Sequence, residues 1–361
     1  MKFETTSYKN MLNLFRPLII IMFICGYNFK TFTPSLLRKV IAQLYSLSLV
    51  IIVSYCTMNC CNVINPSQFM SLLEYDFSVL VSMIYNSKIL KFISGLKCLD
   101  GYLRINKRHY TIIKFRFFFI AVTLWIIRII YTTLSCTSSN CFYSFFPFTL
   151  NIFSSLALDL NRVWRFTILN TIRFRIKLLR RRLEEDPEEN YYLYAVKMKT
   201  VKEDKLKFCL FIYRQIGNMV DLIQPEMHAQ MFVSIICGIP KLVVDIYHIL
   251  LVIENHEPIT ALGFTVMHII HVSFLLMSPS VVIELFQVEI EKIRLHLIHQ
   301  IIDSSDPKTK EDAQIFLQYS EIRSIKSKLW RCIPINIALP LDILNICYSA
   351  IIVIINFTDL Y

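Results

Sequence analysis

The chain has 361 residues and a formal net charge of +11, yet 55% of it is hydrophobic and only 18% is charged. A soluble domain usually carries about a quarter charged residues, so at a mean hydropathy of +0.50 this chain lacks the groups to cover a water-facing surface. Aromatics at 13% and only 6 glycines exclude a disordered or collagen-like chain and point to an all-α integral membrane protein.

The positive excess does not indicate nucleic acid. Basic residues fall in blocks between apolar runs, and no zinc-finger, RNP or basic-zipper pattern is present. Membrane lipid is the expected partner instead. The 11 cysteines include no CxxC pair, so neither a metal nor a cofactor is expected. Nor is an enzyme, because no HExxH, GxSxG or phosphate-cradling glycine loop occurs.

Residues 1–35 read as a cytoplasmic N-terminal segment. Within it, the apolar run Leu18 to Cys25 follows Arg16-Pro17 and is too short to span, so it reads as an amphipathic or interfacial entry. Seven stretches then reach or approach the roughly 20 apolar residues that a membrane helix needs. They are Leu36 to Met58, Phe69 to Ile89, Phe117 to Leu134, Phe142 to Trp164, Ala229 to Ile253, Ile259 to Phe286 and Ile333 to Phe357. Domain organisation follows: spans one to four in 36–164, a helical extension over 165–228, spans five and six in 229–286, a second extension over 287–332, and the last span in 333–361.

Charge fixes the expected sidedness. The connection between spans two and three holds Lys91, Lys97, Arg104, Lys107, Arg108, Lys114 and Arg116 against Asp100 alone. The next even connection carries Arg180-Arg181-Arg182, and the last carries Lys308, Lys310, Arg323 and Lys326. The alternate loops, Asn59 to Gln68, Ser135 to Cys141 and Glu254 to Pro258, contain no Lys or Arg. By the positive-inside rule the N-terminus is cytoplasmic and the C-terminus extracellular, the inverse of a G-protein-coupled receptor. Cys60, Cys61, Cys136 and Cys141 then lie outside, where a bridge is possible but unpaired cysteines are the simpler expectation.

The long cytoplasmic connections keep helical periodicity. Leu206, Leu210, Tyr213 and Val220 share a face, as do Ile293, Leu297 and Ile301 after the sixth span. Pro187 and the Ser304-Ser305-Asp306-Pro307 segment break these helices. Apolar stripes that outlast the membrane predict a bundle below it.

The last helix is nearly apolar except for Asp342, Asn345, Tyr348, Ser349 and Asn356. At about 100° per residue, Asp342, Asn345, Ser349 and Asn356 fall in an arc of roughly 80°, with Ile352 in the missing place. That stripe is about 21 Å long, most of the hydrocarbon thickness. Such a stripe faces either a partner helix or water. Several copies around an axis could line a pore with it, and a ring of Asp342 would favour cations.

The segment Ser349-Ala350-Ile351-Ile352-Val353-Ile354-Ile355-Asn356-Phe357 resembles the Thr-Tyr-five-apolar-Gln-Phe signature that closes the last helix of insect gustatory receptors. Ser349 stands for Thr, Ala350 for Tyr and Asn356 for Gln, while Phe357 is identical. The stretch from Arg16 to Gly26 is similar to that family's N-terminal entry. The resemblance implies a plasma-membrane receptor that is a tastant-gated, non-selective cation channel, a homotetramer or a heteromer with related receptors. It also implies pore lining by Asp342, Asn345, Ser349, Ile352 and Asn356, with Asn356 and Phe357 at the gate. The divergent signature leans towards bitter or other plant compounds.

A tastant needs a concave site with a few polar groups among apolar walls. Glu74, Asp76, Arg128, His248, His268 and His271 lie in the outer or middle membrane and are the candidates. A central arginine is costly alone, so Arg128 predicts a carboxylate partner in Glu74 or Asp76. Asp159, Lys241 and Asp245 read as inter-helix or water-cavity residues. The alternative is a polytopic transporter for a small solute; Pro240, Pro279 and Pro340 are expected to interrupt or end spans, although no internal repeat pairs them across two halves.

Overall fold

The computed structural model of the chain describes residues 17–28, 36–60, 66–103, 105, 107–138, 145–184, 201–254, 259–323, 328–329, 333–334 and 338–358. A short helix, α1, is described over residues 17–24. It is followed by α2 (Leu36–Cys60), α3 (Pro66–Leu103), α4 (Lys107–Ser138), α5 (Phe145–Glu184), α6 (Val201–Ile253), α7 (Ile259–Asp303), α8 (Pro307–Ile322) and α9 (Ala338–Thr358). Each expected span falls on its own helix, α2 to α7 and α9. Four stretches are long and apolar enough to cross a membrane: Lys39–Met58, Lys205–Ile253, Leu262–Asp303 and Ala338–Asn356. The other three expected spans lie on α3, α4 and α5, whose apolar stretches are interrupted by Glu74, Asp76, Arg128, Asp159 and Arg162.

Two structural differences from the sequence reading have plain causes. First, Pro240 and Pro279 do not interrupt their spans, because α6 runs on through Pro225 and Pro240 and α7 through Pro279. Each proline removes one helical hydrogen bond, which neighbouring helices make tolerable inside a packed bundle. Second, the last span does not begin at Ile333. Ile333–Pro334 instead forms a strand, β2, paired antiparallel with β1 (Lys328–Leu329). α9 starts at Ala338, with Pro340 in its first turn, where a missing N–H has no helical acceptor to serve. The proposed break at Pro187 and the side chains of Cys60, Cys61, Cys136 and Cys141 lie outside the described residues.

Residues 17–28 pack one face against the bundle and leave Ile20 and Ile24 exposed, an amphipathic arrangement. Ile19, Met22, Cys25, Tyr27 and Asn28 are all buried. The Tyr75 hydroxyl of α3 donates to the Cys25 carbonyl at 3.0 Å, and Ser82 accepts from the Asn28 N–H at 3.3 Å. Gly26 supplies the turn with φ +89°, and a Cβ there would lie 3.0 Å from Leu49 of α2. The segment packs against α2 and α3.

The charged extensions close on one another. Ile172, Ile176, Leu179 and Leu183 of α5 pack with Leu206, Ile212, Tyr213 and Ile216 of α6. Ile290, Ile293 and Leu297 of α7 and Ala313 and Phe316 of α8 complete this core. Arg175 of α5 reaches Asp100 of α3 at 2.7 Å, and Arg180 reaches Glu289 of α7 at 2.8 Å. Apolar periodicity along helices far longer than a membrane crossing thus produces a second bundle continuous with the first.

Candidate functional site

Inside the apolar part of the bundle lies a lattice of ion pairs that draws on α3 to α7. Glu74 of α3 is fully buried; Arg162 Nη2 of α5 lies 2.8 Å from both of its carboxylate oxygens, and Lys241 Nζ of α6 lies 2.6 Å from Oε2. One turn from Arg162, the buried Asp159 accepts from Arg128 of α4 through Nε at 2.5 Å and Nη2 at 2.9 Å. His271 Nε2 of α7 meets the same carboxylate at 3.0 Å, and Arg162 Nη1 stands 3.8 Å away. Three cations therefore share two carboxylates, an arrangement that holds only because every charged head lies against an opposite one.

Burial of charge at this depth costs several kcal/mol per ion unless geometry and hydrogen bonding offset it. Bidentate pairing of guanidinium and carboxylate is the strongest form of that offset. The consequence is mechanical: five helices are tied at one level, and each carboxylate, on α3 or α5, holds groups on two other helices.

Of the candidate ligand residues, Glu74, Arg128 and His271 belong to this lattice. The expected partner of Arg128 is corrected: it is Asp159, not Glu74 or Asp76. Glu74 is taken by Arg162 and Lys241. Asp76 lies two residues along α3, on another face, and accepts from Ser54 Oγ of α2 at 2.8 Å. His268 pairs through Nδ1 with Asp245 of α6 at 2.8 Å, so the two histidines of α7 serve different acids. His248 is half-buried on α6, one turn after Asp245. Asp159, Lys241 and Asp245 are inter-helix contacts, as the sequence suggested. Arg162 escaped notice there, although its place three residues after Asp159 in an apolar run was the available signal.

The second feature is α9. Leu339, Ile343, Cys347 and Ile351 are buried on this helix, and the first three pack against Met231 and Leu242 of α6 and Val272, Leu276 and Ile283 of α7. At about 100° per residue, the centre of that face lies roughly 160° from the centre of the polar stripe. Asp342, Asn345, Ser349, Ile352 and Asn356 are all exposed. Ser349 Oγ turns back to donate to the Asn345 carbonyl at 2.9 Å. The Phe357 side chain lies outside the described residues. The subunit thus covers one face of α9 and leaves its hydrophilic stripe uncovered.

No protein-family model matches the chain, and no curated protein sequence matches it. Among solved structures it is similar to the insect olfactory receptor OR5 of Machilis hrabei, with a TM-score of 0.58 over 96% of this chain and 99% of that one at 12% identity. The structure of the same receptor in complex with eugenol gives a TM-score of 0.54 over 97% and 100% of the two chains at 13% identity. The chain therefore has the fold of that receptor.

Proposed function

We propose that the chain is a chemoreceptor subunit of the insect gustatory type, a small-molecule-gated cation channel and not an enzyme. The observation that carries this reading is the uncovered polar stripe of α9, set opposite a face that its own subunit buries. Lipid does not tolerate a stripe of carboxylate, amide and hydroxyl groups at this depth, and water in a shared path does. Four copies around an axis place the stripes together, with Asp342 as a cation-attracting ring and Asn356 and Phe357 at the gate. The seven-span count, the cytoplasmic N-terminus and the plasma-membrane location belong to the same reading, supported by the charge bias of the loops.

The ligand enters from the outside and acts on the level where Glu74, Asp76, Arg128, His248, His268 and His271 lie. The similarity to a receptor solved with eugenol supports a small organic ligand, and a bitter or other plant compound is our choice of class. The ion lattice gives it a route to the pore helix, since α6 and α7 carry both Lys241 and His271 and the packing surface of α9. Cells expressing the chain, alone and with related receptors, are screened by calcium imaging and patch clamp against sugars and alkaloids. A ligand-evoked cation current is expected. Solute uptake without channel conductance would favour a transporter.

A further inference from the structure

A cavity of about 140 Å³ lies between α5, α6 and α7. On each helix its lining falls at least seven positions from the ion lattice, towards the charged extensions: Leu169 against Arg162 on α5, Met231 against Lys241 on α6, Val282 against His271 on α7. The cavity is a seam between two apolar cores. Ile223, Met227 and Phe286 line it and belong to the core shared with the extensions. Met231 and Ile283 line it too, and these belong to the core in which Leu339, Ile343 and Cys347 of α9 are packed. Among the described residues, none of α9 itself lines the cavity.

The lining decides the occupant. Every residue that α5 and α7 contribute is apolar. The charged residues at the edge, Asp221 and Arg323, are paired with each other, and Arg323 also donates to Asn218 Oδ1 at 2.8 Å and to the Tyr319 hydroxyl at 2.7 Å. Gln224 and His228 are the remaining polar neighbours, both on α6. Ordered water needs two to four polar partners, whereas an engineered apolar cavity of about 150 Å³ stays dry and takes benzene. An uncharged single-ring hydrocarbon therefore matches this cavity in size and in the character of its walls.

We propose that the seam is a second binding site, for a small uncharged aromatic hydrocarbon, and that its occupant braces α9. A filled void regains the dispersion contacts that its lining lacks. Here the lining joins the core of the extensions to the side chains that hold α9, so the effect passes through Met231 and Ile283. The placement of the site on the cytoplasmic side rests on the sidedness proposed above; its existence does not.

Binding and bracing are read without any current. The full-length chain in nanodiscs is unfolded thermally with toluene and with 1,3,5-triisopropylbenzene. Labelling of the native Cys347 thiol, buried on the packed face of α9, is followed by peptide mass spectrometry. Toluene should raise Tm saturably and slow Cys347 labelling several-fold. Triisopropylbenzene enters lipid more readily but exceeds the cavity, and should do neither. Val282→Phe fills the cavity from α7, so it should weaken toluene about ten-fold and slow Cys347 labelling by itself. If that variant does not fold, Ile223→Ala decides: it widens the cavity from α6 and should shift preference from toluene towards naphthalene about ten-fold. The proposal is overturned by an absent saturable response to toluene, as a water-filled void gives, or by a stronger response to triisopropylbenzene, as lipid partitioning gives. Toluene binding unmoved by both substitutions, or binding that leaves Cys347 labelling unchanged, overturns it as well. A failed screen for tastant-evoked current leaves these results standing, so the two readings fail separately.

Discussion

Glu74 holds the most exacting position among the described side chains. It is fully buried and bound to both Arg162 and Lys241. Removing one member of a buried pair leaves an uncompensated charge, at a cost of about 3–5 kcal/mol. Glu74→Gln should therefore lower Tm and cell-surface abundance, as measured by thermal unfolding in detergent and surface labelling. Glu74→Gln combined with Lys241→Met should recover part of the loss, since the double change removes one cation as well. Asp342→Asn has a different signature. It lies on the exposed stripe of α9, so folding should be unchanged, while the reversal potential or divalent block of the current shifts, as read under bi-ionic conditions. That these polar residues matter was legible in the sequence, because each is costly in an apolar run. Their pairing was not. Glu74 and Arg162 stand 88 positions apart, and their meeting depends on which helices are neighbours. Two acids a short way along α3 looked equivalent as partners for Arg128, and neither is its partner.

At the scale of elements, α8 shows how local chemistry starts a helix. Asp306 accepts from the backbone N–H of Lys308 and Thr309 and from the Thr309 hydroxyl at 2.6 Å, with Pro307 as the first helical residue. The Thr309 hydroxyl foremost, with those N–H groups, holds the Asp306 carboxyl below its ordinary value. A lowered carboxylate contributes stability above its unfolded-state pKa and loses it as pH falls through the folded value. Amide exchange at the start of α8, corrected for its intrinsic pH dependence, should thus accelerate on acidification in the native chain. In Asp306→Asn, which caps without titrating, exchange corrected for its intrinsic pH dependence should stay flat. The sequence reading took Ser304-Ser305-Asp306-Pro307 as a stop alone, although Asp306-Pro307 also carries the signal for a helix start. Residues 17–28 were less legible, because their apolar run is too short to span. The Gly26 turn and the receiving surface of Tyr75 and Ser82 are what dock one face of that segment on the bundle. The α9 start was misjudged for a similar reason, because apolar Ile333 fits a strand as well as a helix.

At the scale of the molecule, the long helices and their order follow from hydropathy, and the stripe on α9 follows from helical periodicity. Four of the helices that carry expected spans, α3, α5, α6 and α7, continue into a second core that α8 completes with Ala313 and Phe316. The sequence could not tell which side of α9 its own subunit would cover, because Leu344, Ile346 and Val353 are as apolar as Ile343 and Ile351. Packing of α9 on α6 and α7 decides it. If four stripes meet at an axis, a residue closing their outer end controls resting leak, and Phe357→Ala should raise it in whole-cell recordings without ligand.

The central claim is that the hydrophilic side of α9 faces a common aqueous path. Single cysteines placed along the helix and treated with a charged, membrane-impermeant thiol reagent during current recording test it directly. Reaction and altered conductance at positions 342, 345, 349 and 356, with silence at position 344 off the stripe and at the packed positions 343 and 351, is the predicted result. Silence at all four stripe positions in both resting and ligand-bound states would contradict it.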